Sequence, residues 1–233
     1  AYAGGLHRLP RRLSATHAMT RPASPPTASA AQLQLVLASA SPRRQALLAQ
    51  LGLPFTVCPA AIDEHRLPDE APRAYALRMA QTKAHIVAQR FPEAIVLGAD
   101  TIVVLGHHIL GKPGSRAEAR QMLTRLSHRE HLVITGIAVR HHARQWLQCQ
   151  AVQTTVRFRR LSPAQIESYL RTGEPFDKAG AYAIQGEAAA FVDHLQGCYT
   201  NVVGLPLRCA AKLLRAAGLT VPTLPARNAR NAW

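Results

Sequence analysis

The sequence predicts an α/β protein built on a mixed β-sheet. Three observations lead there. Short apolar runs of strand character alternate along the chain with helical patterns. Two long strand-like runs, 132–140 and 145–158, follow one another with only a short turn between them and so pair antiparallel. The 233 residues suit one domain, or two closely joined lobes.

The elements follow in order. Gln34–Ala38 is a short apolar run, hence a buried strand. Pro42–Leu51 is a helix with Ala46, Leu47, Leu48 and Leu51 on one face, and Phe55–Cys58 is a second strand. Over Pro72–Arg90, Ala76, Leu77, Ala80, Ala84 and Val87 recur near the 3.6-residue period of a long helix. Ala94–Gly98 and Ile102–Leu105 read as two strands, and Gly106 turns the chain into Ile109–Leu110. Ser115 and Glu118 form a capping box for a helix to Leu126. A second cap opens a helix at 162–171, with Pro163 at N1 and Gln165 at N3. A glycine-containing loop, a short strand near Ala190–Asp193 and a last helix near Leu205–Ala217 complete the pattern.

Residues 1–31 are rich in Ala, Pro, Ser and Arg, hold no acid and show little apolar periodicity, so they read as a disordered leader. The segment fits a targeting peptide, and equally a stretch ahead of a start at Met19. The globular part is expected over 32–220, with an unstructured tail at 221–233. No apolar run reaches the length of a membrane span. The four cysteines are scattered without a CxxC pair, which argues against a disulfide framework or a zinc site and for a reducing, cytoplasmic setting. The formal charge of +15 points either to an arginine-rich composition or to a phosphate-rich partner. Aromatic content of 5% is poor for base stacking, which weighs against nucleic-acid binding. Only four of the 28 basic residues are lysines: Lys83, Lys112, Lys178 and Lys212. A retained lysine among so many arginines suits a compact charge aimed at one phosphate oxygen.

Five segments carry chemistry. In Ser39-Ala40-Ser41-Pro42-Arg43-Arg44, Ser41 is a natural N-cap, yet the first helical turn carries two arginines where acids are preferred. A helix N-terminus with two arginines makes an anion site that fits a triphosphate; the plain alternative is two solvated arginines. Asp63-Glu64 are the first acids of the chain and read as a metal-ligand pair or as a solvated loop. Lys83 lies on the long helix, where a surface lysine is the plain reading. In Gly98-Ala99-Asp100-Thr101, Asp100 is expected to emerge at the carboxyl end of a core strand, where ligands gather in α/β sheets. A carboxylate there holds Mg²⁺ or takes a proton from an attacking water; a turn-capping Asp is the alternative. Gly111-Lys112-Pro113 adds a lysine after a hairpin. The segment 174–186 sets Asp177, Lys178, Tyr182 and Gln185 among small residues, as a loop closing on a planar ligand does, with the Gln amide reading a base edge. The segment 197–206 reads as mainly architectural.

Taken in order, these five segments resemble the Maf family of nucleotide pyrophosphatases, whose SxSPRR, GADT, GKP-like, DKAGAYxIQG and GSYxNVVGLP blocks they match over about Leu35–Leu214. The loop looks like that of the branch acting on dTTP and UTP rather than of the 7-methyl-GTP branch. Cys198 replaces the usual Ser and Ala183 the usual Gly. The resemblance implies a two-lobed fold with a deep cleft, cleavage between the α- and β-phosphates with a divalent cation (Mg²⁺ or Mn²⁺), and commonly a homodimer. It places the general base on Asp100, the phosphate and metal residues on Ser41, Arg43, Arg44, Glu64, Lys83 and Lys112, and base selection on Arg43, Thr101 and Gln185. The metal falls to Glu64 and Asp100. Two other readings stay open: preference for purine triphosphates, as in the related inosine triphosphatases, and a basic nucleic-acid-binding or division-regulating protein.

Overall fold

A computed structural model describes Ala1 and residues 33–222. Nearly all of the expected leader, and the tail from residue 223 on, lie outside the described residues.

Among these residues seven strands form one sheet in the order β2-β1-β3-β5-β6-β7, with β4 on β3. The strands are β1 (Leu35–Leu37), β2 (Thr56–Val57), β3 (Ile95–Leu105), β4 (His108–Leu110), β5 (Glu130–His141), β6 (Trp146–Phe158) and β7 (Val192–Gln196). The β2-β1-β3 half is parallel and the β3-β5-β6-β7 half antiparallel, so the sheet is mixed, as expected. The helices are α1 (Pro42–Ala49), α2 (Pro72–Arg90), α3 (Arg116–Leu126), α4 (Pro163–Arg171), α5 (Tyr199–Val203) and α6 (Leu207–Ala216).

Strand β3 is the common member of both halves, and its alternation sorts the core. Ile95, Leu97, Ala99, Val103 and Leu105 face a large cluster shared with α1, α3, α4 and α6. Val96, Ile102 and Val104 face the other side, toward α2. Burial on both faces explains why the strand reads as an almost unbroken apolar run. The sequence suggests two strands parted at Ala99–Thr101, but the backbone runs straight through. Asp100 pairs with Gly136 of β5, and its charge is met by a lysine, so the weak strand preference of Asp is overridden.

Helix α2 lies unusually close to the sheet. A Cβ at Gly98 would stand 2.4 Å from the Ala80 carbonyl oxygen, and one at Gly136 would stand 2.1 Å from that of Ala76. The approach depends on missing side chains: Gly98 and Gly136 on the strands, Ala76, Ala80 and Ala84 on the helix.

Four local expectations change. Ala46 on α1 is exposed, leaving Leu47, Leu48 and Leu51 as the buried stripe. Ser115 caps α3 through the Glu118 N–H, but the Glu118 carboxylate reaches back to the Gly114 N–H at 2.7 Å rather than to Ser115. β7 starts only at Val192, because residues 187–191 curl into a 3₁₀ turn. The turn before the last helix contains a helix of its own, α5.

Candidate active site

Pairing between β1 and β3 ends at Leu37 and Leu97, and β4 joins β3 only at Val103. That edge of β3 is therefore uncovered from Gly98 to Ile102, beyond the carboxyl ends of β1 and β2, where α/β sheets bind ligands. A cleft of about 710 Å³ opens there. Its lining brings together nine of the residues singled out above: Ser41, Arg43 and Arg44; Glu64, Lys83 and Asp100; Thr101, Lys112 and Gln185. Asp63 is left aside. It is exposed, and its carboxylate accepts the His65 N–H in a local turn.

The floor is a carboxylate–ammonium–carboxylate cluster. Asp100 is 9% exposed, in mid-strand rather than at a strand end, and points to α2. Lys83 is 8% exposed, which excludes the surface-lysine reading. Its Nζ donates to Asp100 Oδ1 at 2.7 Å and lies 2.7 Å from Glu64 Oε1. A buried ammonium between two carboxylates has the partners that burial demands. Partial burial works to raise the Glu64 pKa, but the hydrogen bond and charge of Lys83, with Lys112 and Arg44 behind it, hold it below the ordinary carboxylate value.

Glu64 rides on an irregular segment that α2 ties down. The Tyr75 hydroxyl donates to the Glu64 carbonyl at 2.7 Å. Arg78 donates to the His65 carbonyl and to both Glu70 carboxylate oxygens. Tyr75 also lines the cleft. Neither Tyr75 nor Arg78 stood out in the sequence, since both fall within the ordinary polar positions of an amphipathic helix.

The opposite wall is the first turn of α1. Ser41 caps it, with its side chain accepting the Arg44 N–H. Arg44 is a strut: Nε donates to the Gly204 carbonyl (2.9 Å), Nη1 to Ser39 Oγ (3.1 Å) and Nη2 to Thr101 Oγ1 (3.0 Å). Burial lowers its pKa, Asp100 opposes this and Arg43 adds to it. Three of its five donors meet neutral oxygens, which leaves donors over for an anion. Thr101 Oγ1 also meets Thr135 Oγ1 at 2.9 Å. Among the described residues Arg43 has no hydrogen-bond or ion-pair partner, and Lys112 has no hydrogen bond. The segment after Gly197 is more than architectural, because Val202–Gly204 line the cleft and the Gly204 carbonyl anchors Arg44.

The third wall is the loop of residues 177–185. The Lys178 ammonium pairs with Asp177. Gln185 is exposed at the cleft, and among the described residues its amide has no hydrogen-bond partner. A larger hollow of about 930 Å³ lies beside α3 and α4. Its Arg120 and Glu167 are spent on each other, and it gathers no comparable set of reactive groups.

An α/β fold that sets a buried acid and lysine, with a second carboxylate beside them, against a cationic helix N-terminus has the build of an enzyme for anionic substrates. The chain belongs to the Maf family: the family model described as Maf-like protein matches residues 34–217. A protein named dTTP/UTP pyrophosphatase from Symbiobacterium thermophilum is 50% identical over 190 residues, 82% of this chain and 97% of its own. One of the same name from Anaeromyxobacter dehalogenans is 53% identical over 191 residues, 81% of this chain and 96% of its own. Among solved structures, a HAM1 protein from Coxiella burnetii aligns with TM-score 0.46 and 15% identity, over 79% of this chain and all of that one.

Proposed function

We propose that the chain is a nucleoside triphosphate pyrophosphatase that hydrolyses dTTP and UTP to the monophosphate and pyrophosphate. The observation that carries this is the Glu64–Lys83–Asp100 cluster facing the arginine-bearing N-terminus of α1 across one cleft. The names of the relatives at about half identity support the same substrates.

Arg43, Lys112, the free donors of Arg44 and the N–H groups of α1 neutralise the triphosphate. Asp100 Oδ1 is held by Lys83, which fixes the orientation of the carboxylate; Oδ2 takes the proton of the attacking water. The water oxygen bonds to the α-phosphorus, the bond from that phosphorus to the bridging oxygen breaks, and pyrophosphate leaves with the electron pair. Glu64 and Asp100 offer hard oxygen donors, which fits Mg²⁺ or Mn²⁺. No group of three or more His, Cys, Asp or Glu side chains suited to a metal occurs among the described residues, but Mg²⁺ commonly takes one or two carboxylates and completes its shell with phosphate and water. When bound, such an ion supplies charge to the phosphate oxygens. Gln185 reads the base from the 177–185 loop, with Arg43 and Thr101 contributing from the wall of α1.

The wider setting follows the same reading: a catalytic domain at 32–220, acting as a homodimer in the cytoplasm. Four free thiols support a reducing compartment. No helix among the described residues is long and apolar enough to cross a membrane.

The test is pyrophosphate release from dTTP, UTP, CTP, GTP and dATP with Mg²⁺ or Mn²⁺. Highest kcat/KM for dTTP and UTP is expected. Preference for purine triphosphates, or no pyrophosphate from any of them, overturns the assignment.

A further inference from the structure

Gln185 stands on a segment that neither a helix nor a strand fixes; 3₁₀ turns at 179–181 and 187–191 flank it. A tether from α4 fixes it instead. Glu174 Oε1 accepts the Tyr169 hydroxyl at 2.7 Å, and Oε2 accepts the Glu187 N–H at 3.2 Å. The same Tyr169 hydroxyl accepts the Ala183 N–H at 3.2 Å. Both ends of the five residues 183–187 are thus tied to one hydroxyl–carboxylate pair, with Gln185 at the centre.

The surroundings are shaped for this pair. Gly173, at φ 77°, turns the chain out of α4 in a conformation that suits glycine and brings Glu174 back over it. A Cβ at Gly186 would fall 2.1–2.3 Å from the Glu174 carboxylate, so the loop closes on that carboxylate only with glycine there. Tyr169 is 2% exposed and meets Phe191 edge-on at 5.1 Å, which leaves its ring one position. Burial first, then Glu174, raises the Tyr169 pKa, so the hydroxyl stays protonated and a donor. Both groups that meet Glu174 donate, one to each carboxylate oxygen. A Gln at 174 would turn an amide N–H against one of them.

We propose that Glu174 and Tyr169 set base selectivity as positioning residues: they hold the 183–187 segment so that the Gln185 amide meets the base edge, and neither touches substrate. The inference rests on Gln185 as the base reader. A polar group that reads a base discriminates only while it is held in place, since a displaced amide accepts the wrong base as readily as the right one.

The experiment uses the full chain and measures kcat and KM for UTP and CTP. The variants are Tyr169→Phe, Glu174→Gln, Gln185→Ala and the pair Glu174→Gln with Gln185→Ala. Tyr169→Phe keeps the ring against Phe191 and removes only the hydroxyl, so it serves even if Glu174→Gln folds poorly. The expected result is a UTP-over-CTP ratio of kcat/KM lowered roughly 5- to 20-fold by Tyr169→Phe or Glu174→Gln, about the scale of one or two lost hydrogen bonds. The kcat for UTP should stay within about twofold, because the phosphate end is untouched. The pair should be no less selective than Gln185→Ala alone. If Gln185→Ala lowers the ratio while Tyr169→Phe and Glu174→Gln leave it alone, whatever they do to the melting temperature, the positioning role is overturned by itself. Additive losses in the pair overturn it too. An unchanged ratio in Gln185→Ala overturns base reading by Gln185, and the inference with it.

Discussion

Lys83 and Asp100 show how far a single position can be read. The scarcity of lysine marked Lys83, and its place on a long helix suggested a surface, yet it is buried against two acids. Asp100→Asn is nearly isosteric and removes the proposed proton acceptor. Turnover should fall roughly 100-fold or more with the fold intact, the scale of a lost general base. Near-normal turnover in a folded variant removes Asp100 from the mechanism. Tyr169 and Glu174 could not be read in advance, because what they do depends on partners at 183 and 187 that no local pattern reveals. His131 is a second such case. It is 2% exposed, wedged edge-on against Phe158 and Tyr182, with Nε2 2.8 Å from the Tyr182 hydroxyl. Burial lowers its pKa from 6.5 to about 4. Between those values the unfolded chain binds a proton that the folded chain refuses. Stability is therefore lost as pH falls from about 6.5 to about 4. The loss from this group is on the order of 3 kcal/mol. His131→Phe should flatten that part of the profile relative to the parent in urea titrations at pH 4.5 and 7. Parallel profiles would show that another group carries the acid limb.

At the scale of elements, most of the fold was legible. The α2 boundaries match because Pro72 opens the helix at N1 and an alanine-rich period continues to Arg90. The continuity of β3 and the presence of α5 both escape the sequence pattern for one reason. Asp100 and the short run 199–203 go against local preference, and each is held by contacts distant in sequence. Asp100 is met by Lys83; Asn201 of α5 donates to the Val133 carbonyl and to Thr154 Oγ1. The closeness of α2 to the sheet was equally hidden, and the site depends on it. A methyl at Gly136 would meet the Ala76 carbonyl oxygen at 2.1 Å and its carbon at 2.4 Å, both backbone atoms that move only with the helix. Gly136→Ala should cost about 1–3 kcal/mol or more in stability. It should also slow turnover by roughly 100-fold for each ångström that Lys83 shifts from Asp100. Gly111→Ala has open space around its Cβ and a negative φ, and should melt as the parent does. Equal melting temperatures for Gly136→Ala and Gly111→Ala would show that the helix has room to spare.

For the whole molecule, the two lobes and the cleft anticipated from the family resemblance correspond to the two halves of one sheet and the notch where β1 stops. The halves are joined through β3, which pairs in parallel with β1 over residues 35–37 and antiparallel with β5 from Ile95 to Val104. The largest apolar cluster draws on both, from Leu35 and Leu47 in the parallel half to Phe158 and Leu195 in the antiparallel half. Unfolding the parallel half alone would strip one edge of β3 and leave buried apolar surface of the shared cluster open to water, at roughly 25 cal/mol for each Å² exposed. The halves should therefore unfold together, in one cooperative transition. Trp146, at the start of β6, reports on the antiparallel half, and far-ultraviolet circular dichroism reports on both. With Trp233 replaced by Phe to leave one indole, the two signals should give the same urea midpoint and the same slope. A fluorescence midpoint displaced from that of the dichroism would mean that the strands around the cleft open separately. Domain-like opening would then become the natural route for substrate entry.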